Sequence, residues 1–288
     1  MRICRFALNA DRASEPRVGL LEEAGIRDVS RVADDLPSLR WPLPRGDQFI
    51  ANLDRLRPRM RELAVGAPLL PLDSVRLLAP VANPGKFICG VGNWSHHNAP
   101  LGMLGFLFKA TSALAGAGEG VQLRWPERTT LHEPELAIVI GRTCLNVTPS
   151  EALDYVAGYT CGLDMTMKEE REFFCFCKSF DSFGVLGPCL TTADEIPDPS
   201  ALSYRFTVNS EVRGVRSFKD HTASPAQLVA FASTAMTLDP GDIIYCGAAD
   251  VGPVLPGDVM SLEIPGIGRM EVAVSVSPHA RASRKRDA

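Results

Sequence analysis

The stretch His132-Glu133-Pro134-Glu135-Leu136-Ala137-Ile138-Val139-Ile140-Gly141 has the composition of a β-strand, with β-branched Ile138, Val139 and Ile140 closed by Gly141. Side chains two residues apart leave a strand on one face, ~6–7 Å apart for a rise of ~3.3 Å per residue. Glu133 and Glu135 therefore point together, with room for one ion between them. Two neighbouring carboxylates repel, and they are costly to desolvate unless a cation or a proton joins them. Pro134 has no N–H to give to a ladder, so the strand begins here or lies on an edge at this point. Taken alone, a Glu-x-Glu also describes the solvated face of an edge strand. The residues further along decide between the two.

Downstream, Thr148-Pro149-Ser150-Glu151 is a capping box that predicts a short helix through Val156, and Gly158 to Asp164 predicts a strand ending in an acid. Ser224-Pro225-Ala226-Gln227 repeats the device and opens a helix with Leu228, Val229, Phe231, Ala232, Ala235 and Met236 on its apolar side. Pro240-Gly241-Asp242 and Pro256-Gly257-Asp258 are turns into strands, and Ile264 to Gly268 is a hairpin connection returning along Arg269 to Val276. Many short strands and few helices, without regular strand–helix alternation, predict an α+β, β-rich domain on a folded sheet.

Upstream, Lys86 to Asn93 predicts a buried strand running into a Gly-rich turn. Residues from about 94 to 120, rich in Gly, Met and His, predict a mobile flap beside a pocket. Residues 1–80 are expected to form a small N-terminal domain, with a strand at Arg17–Glu22. Its amphipathic helix carries Phe49, Ile50, Leu53, Leu56, Met60 and Leu63, and Pro58 should kink or split it. Pro68, Pro71 and Pro80 punctuate a linker-like passage before the main domain, residues 81–277. Residues 278–288, with Arg281, Arg284, Lys285 and Arg286, predict a disordered basic tail.

The chain of 288 residues is 45% hydrophobic, long enough to bury a sizeable core. A net charge of −4 and a pI near 5.8 argue against binding nucleic acid or an acidic membrane surface. No apolar run of ~20 residues predicts a membrane span, and Met1 to Phe6 lacks the pattern of a signal peptide. The 8 cysteines are scattered through apolar sequence, as reduced thiols of a cytoplasmic protein would be. Only Cys175 and Cys177 are locally paired, without the second pair that a zinc site needs.

With Glu133, Glu135, Asp164 and Lys178 in this order, the chain resembles the fumarylacetoacetate hydrolase family. Four pieces carry the likeness: Gly92-Asn93-Trp94-x-x-His97; Glu133-x-Glu135-Leu136-Ala137; Ala152 to Thr160 leading to Asp164; and Lys178-Ser179-Phe180-Asp181-Ser182-Phe183-Gly184 on to Pro188. Leu238-x-Pro240-Gly241-Asp242-Ile243-Ile244 and the later Pro-Gly-Asp turn also fit. The resemblance implies a mixed β-roll catalytic domain, usually dimeric, behind a small N-terminal domain. It implies Mg2+ or Mn2+ and action on a small molecule, a β-diketo acid or a related enolisable oxo acid. Glu133, Glu135 and Asp164 offer three hard anionic oxygens and no soft ligand, which favours those ions over zinc or copper. By the same likeness Lys178 is the catalytic lysine and balances the charge left by the acids and the ion. His97 activates water or moves a proton, and Asn93, Lys109, Lys168, Arg171 and Ala248 handle substrate.

Several positions depart from the family pattern. Pro100 stands where a Glu commonly partners the histidine, Ala248 replaces a carboxylate-binding Thr, Lys168 replaces an Arg, and Arg171 replaces a Gln. Asp250 is the candidate substitute partner for His97; Glu169, Glu170 and Glu172 form a charge run that suits a solvated face. The metal residues are intact while substrate handling has changed, so a pyruvyl-type substrate is not assured. The expected function is a metal-dependent hydrolase cleaving a C–C bond in a 1,3-dicarbonyl or acylpyruvate-like substrate through a metal-bound enolate. The alternatives are a lyase, decarboxylase, isomerase or hydratase on a related compound, which the loss of the Glu favours, and a non-catalytic metal-binding relative.

Overall fold

The computed structural model describes residues 1–9, 15–95, 105–168 and 176–280. His97, Pro100, Glu169, Glu170, Arg171, Glu172, Cys175 and the basic residues of the tail lie outside them. The strand Pro134–Ile140 begins at its proline and is buried along its whole length. It is a central strand, paired antiparallel with Val156–Asp164 on one side and Ile243–Tyr245 on the other. Both of its faces are covered. Leu136, Ile138 and Ile140 enter a large core with Leu228, Val229 and Ala232 of the helix Pro225–Ala235. On the opposite face Ala137 meets Phe87, Leu186 and Tyr245, and Val139 meets Ile3, Ile50 and Leu190. The period of two therefore puts Glu133 and Glu135 on the face of Ala137 and Val139, inside the molecule.

From this strand the sheet extends in both directions. One way it runs through Val156–Asp164 and Gly184–Thr192 to Arg2–Leu8, Arg17–Glu22, Gly25–Asp28 and Leu69–Leu70; the other way it runs through Ile243–Tyr245 and Phe87–Gly90 to Phe106–Lys109. Arg2 and Ile3 pair with Thr191 and Leu190, so N-terminal strands continue the same sheet. A second sheet, Glu211–Ser217, Ser203–Val208, Val259–Ile264, Gly268–Val276 and Val121–Leu123, packs against the first. A short one of Thr166–Met167, Thr130–His132 and Gly252–Val254 lies beside the acids.

The local expectations fare unevenly. The Ser224 box caps its helix as read, whereas the Thr148–Glu151 contact forms but opens only a 3-10 turn, Ala152–Tyr155. The N-terminal helix breaks at Asn52, between Gln48–Ala51 and Leu53–Gly66, and runs through Pro58. The passage from Pro68 to Pro80 is a linker only in part, since Val75–Leu78 pairs with Arg5 to Leu8. The described part of the expected flap contains two sheet strands, each followed by a 3-10 turn: Phe106–Lys109 pairs with Phe87–Gly90, and Leu114–Gly116 pairs parallel with Gly184 to Leu186. Non-local ladders, invisible to local composition, claim both passages.

Gly162 lies opposite Glu135 in the ladder. A Cβ there would sit 2.3 Å from the Tyr245 ring. That ring cannot yield, because it is buried and its hydroxyl donates to Val185 O (2.8 Å) and Leu163 O (3.2 Å). Gly162→Ala should therefore cost about 1–3 kcal/mol, the usual scale of overpacking. Urea denaturation measures this; an unchanged midpoint would refute the packing.

Candidate metal and catalytic site

Three acids meet because of the register. Pro134 pairs with Leu163 and Glu135 with Gly162, which sets Glu133 opposite Asp164; the Asp164 N–H donates to Glu133 O at 2.9 Å. Directly opposed residues share a face, so Asp164 joins the two glutamates. Oxygens of Glu133, Glu135 and Asp164 lie within 4.8 Å of one another, the sole cluster of its kind among the described residues. Bonds of ~2.0–2.6 Å, the range for Mg2+ and Ca2+, fit one small hard cation among them.

Two lysines balance the acids. Lys178 Nζ lies 2.9 Å from Glu133 Oε1, 3.0 Å from Glu133 Oε2 and 2.9 Å from Asp164 Oδ2, and donates to Thr166 Oγ1 at 2.6 Å. Thr166 in turn donates to Glu133 Oε1 at 2.6 Å. Lys109 Nζ is 2.5 Å from Asp164 Oδ1 and donates to Met165 O (3.0 Å) and Lys178 O (2.5 Å). Burial would raise Asp164, but Lys109 and Lys178 outweigh it and hold the carboxyl below its ordinary value. Burial would lower Lys178, but Asp164 and Glu133 hold it above its ordinary value, so it stays an ammonium. Among the described residues no lysine contacts Glu135; burial, then Asp164 and Glu133, push it well above the ordinary range. Its Oε2 accepts the Gly247 N–H at 2.7 Å.

The other candidate residues are placed as follows. Lys109 has a fully buried side chain, and its ammonium contacts are all internal. Asn93 is buried: its Nδ2 donates to Ala223 O and Cys246 O, and its Oδ1 accepts from Ala223 N, so the amide ties together the loops that wall the site. Ala248 follows Gly247 and is half-buried, and Lys168 is exposed at the end of Thr166–Met167. Asp250 accepts from Tyr204 Oη (2.6 Å) and from Arg216 Nε (3.2 Å) and Nη2 (2.8 Å). The residues that sequence reading missed are Thr166, Trp94, His221, Tyr204 and Arg216. Of these Trp94 lies within the Gly92-Asn93-Trp94 run and Thr166 two residues beyond Asp164, and the other three carry no local signal. The seven described cysteines are free thiols, six of them buried.

A strand-borne acid triad with a buried lysine pair inside a mixed β-fold defines a class, and sequence comparison names it. Residues 90–275 match the model of the fumarylacetoacetate hydrolase C-terminal domain, and the chain belongs to that family. It is a metal-dependent hydrolase of C–C bonds in that family. It is 43% identical over 294 aligned positions to maleylpyruvate hydrolase of Aquipseudomonas alcaligenes, covering 95% of this chain and 99% of that one. The fold superposes with a TM-score of 0.82 on maleylpyruvate hydrolase of Sphingobium sp. SYK-6 in complex with manganese(II) and pyruvate, at 34% identity over 96% of this chain and 100% of the other. It also superposes, with a TM-score of 0.71 and 27% identity over 96% and 99% of the two chains, on 5-carboxymethyl-2-hydroxymuconate delta-isomerase of Mycobacterium smegmatis.

Removing Lys109 leaves Asp164 buried with one counter-charge fewer. Lys109→Met should destabilise the fold by on the order of 3 kcal/mol, the lower end for breaking a buried ion pair. Chemical denaturation without added metal reads the effect, and a stability equal to wild type would show that Lys109 does not hold Asp164.

Proposed function

We propose that this protein hydrolyses an acylpyruvate of the maleylpyruvate type, in the cytoplasm, to pyruvate and the corresponding carboxylic acid. The observation that carries the reading is the acid triad with Lys178 bridging two of its members, on a chain 43% identical over nearly its full length to a maleylpyruvate hydrolase. Charge supports it. Three carboxylates and two lysines sum to a formal −1, and one divalent cation brings the site to +1, which suits a polyanionic substrate. The likeness to a protein solved with pyruvate favours a pyruvyl substrate despite the replacements at Pro100 and Ala248.

In this reading Glu133, Glu135 and Asp164 hold Mg2+ or Mn2+, which when bound supplies a Lewis acid for the substrate's oxygens. Water adds to the acyl carbonyl, the bond to the pyruvyl methylene breaks, and its electron pair passes to that carbon, which takes a proton to give pyruvate. Lys178, an ammonium with 13% of its side chain exposed, offers a charged donor to the oxyanion that forms. His97 takes the proton from water. Lys168, Arg171 and the backbone at Ala248 meet the substrate carboxylates, with Asn93 and Lys109 behind them as the wall. Asp250 orients His97 or this wall, and Asp250→Asn tests it through a turnover loss of ~10²-fold, the scale of acid–base catalysis. We also propose that residues 1–80 form a small N-terminal domain and that the enzyme is a homodimer; light scattering should give twice the chain mass of 31.2 kDa.

The deciding assay incubates purified protein with maleylpyruvate and Mn2+ and follows pyruvate with a coupled dehydrogenase and maleate by chromatography. Equal yields of both are expected, abolished by a chelator and restored by Mn2+, with Lys178→Met slower by ~10²-fold or more. Carbon dioxide release, or an isomer without pyruvate, would replace the hydrolase with the lyase or isomerase reading.

A further inference from the structure

Every polar backbone atom of Cys246 and Gly247 is occupied. Cys246 N donates to Leu136 O at 3.0 Å, and Cys246 O accepts from Asn93 Nδ2 at 2.8 Å. Gly247 N donates to Glu135 Oε2 at 2.7 Å, while Gly247 O accepts from Trp94 Nε1 at 2.7 Å and His221 Nε2 at 3.2 Å. Gly247 has φ 106°, in the region that favours glycine, and a Cβ would sit 2.8 Å from Asn93 Cβ. The indole and imidazole brace each other, edge to face with centroids 4.6 Å apart, and their chains form a β-bridge. His221 is neutral, because burial lowers it to about 4, so the tautomer that fits a carbonyl carries its proton on Nε2. Its Nδ1 is buried without a partner. The ring is thus held by one hydrogen bond and its stacking, and that hydrogen bond ends on the same glycine whose N–H grips Glu135.

We infer that Trp94 and His221 are positioning residues for Glu135: by clamping the Gly247 carbonyl they aim the Gly247 N–H at Glu135 Oε2, which leaves the other oxygen to face the cation. The inference rests on the reading of Glu135 as a metal ligand. Among the described residues Glu135 is the triad member with no lysine in contact, and the Gly247 N–H is the donor that fixes its rotamer. Partners behind a ligand orient it, and their loss commonly weakens metal binding by ~10–100-fold.

The test measures Mn2+ affinity calorimetrically on metal-free full-length protein, alongside the melting temperature without metal. His221→Phe keeps the ring and removes the donor; His221→Gln restores an N–H; Trp94→Phe removes the other donor. Expected are an affinity ~10-fold weaker in His221→Phe, recovery of most of it in His221→Gln, a similar loss in Trp94→Phe, and metal-free melting within a few degrees of wild type. A merely structural role would lower the melting temperature of His221→Phe and leave its Mn2+ affinity at the wild-type value, which would overturn the inference. If His221→Phe does not fold, Trp94→Phe is read by the same criterion. Absence of Mn2+ binding in the wild type, with Glu135→Gln as control, would instead overturn the metal-site reading itself.

Discussion

The structure is organised around the placing of three carboxylates on one buried face. Glu135 and Asp164 are 1% exposed, deep enough that an uncompensated charge costs several kcal/mol. Each acid has a different answer to that cost. Asp164 has two ammonium groups, Glu133 shares one of them and adds the Thr166 hydroxyl, and Glu135 has a single backbone N–H. The acid with the least protein compensation is the one whose charged form burial disfavours most, and so the one that gains most from a cation.

This arrangement explains the folding of the surrounding segments. Lys109 reaches Asp164 because Phe106–Lys109 is a sheet strand, ending where its last side chain turns inward. The same ammonium grips the Lys178 carbonyl, so one buried charge fixes both an acid and the backbone of Lys178. A free flap over residues 105–109 would give up these contacts. The ladder from Arg2 to Lys109 is thus the scaffold that pays for the site.

What the sequence discloses is what short-range order determines. The strand, its start at Pro134, the shared face of Glu133 and Glu135 and the terminal acid at Asp164 follow from a period of two and from proline chemistry. Lys178 was legible through its run and through the charge that three acids leave. What stayed hidden depends on contacts between distant segments. Thr166 is an ordinary short-strand residue until the fold brings Lys178 to it, and Trp94 and His221, 127 positions apart, meet at a carbonyl that no composition marks. Pro58 sits inside the helix Leu53–Gly66, and the break falls at Asn52 instead. Asp250 is tied by the fold to Tyr204 and Arg216, contacts that the local sequence does not mark.

The same scaffold superposes on a maleylpyruvate hydrolase and on a muconate isomerase, with TM-scores of 0.82 and 0.71. The sheet and the acids therefore do not choose the reaction. That choice falls to groups that meet the substrate without holding the ion, the role proposed above for Lys168, Arg171 and Ala248. Ala248 is joined to Gly247, whose N–H holds Glu135, so the segment proposed to meet the substrate is the one that holds an acid of the triad. Trp94, His221 and Asn93 hold the backbone carbonyls of Cys246 and Gly247, whereas the Ala248 side chain takes no part in those bonds. A change of side chain at position 248 can therefore leave the donor to Glu135 in place, because the two use different atoms of one short segment.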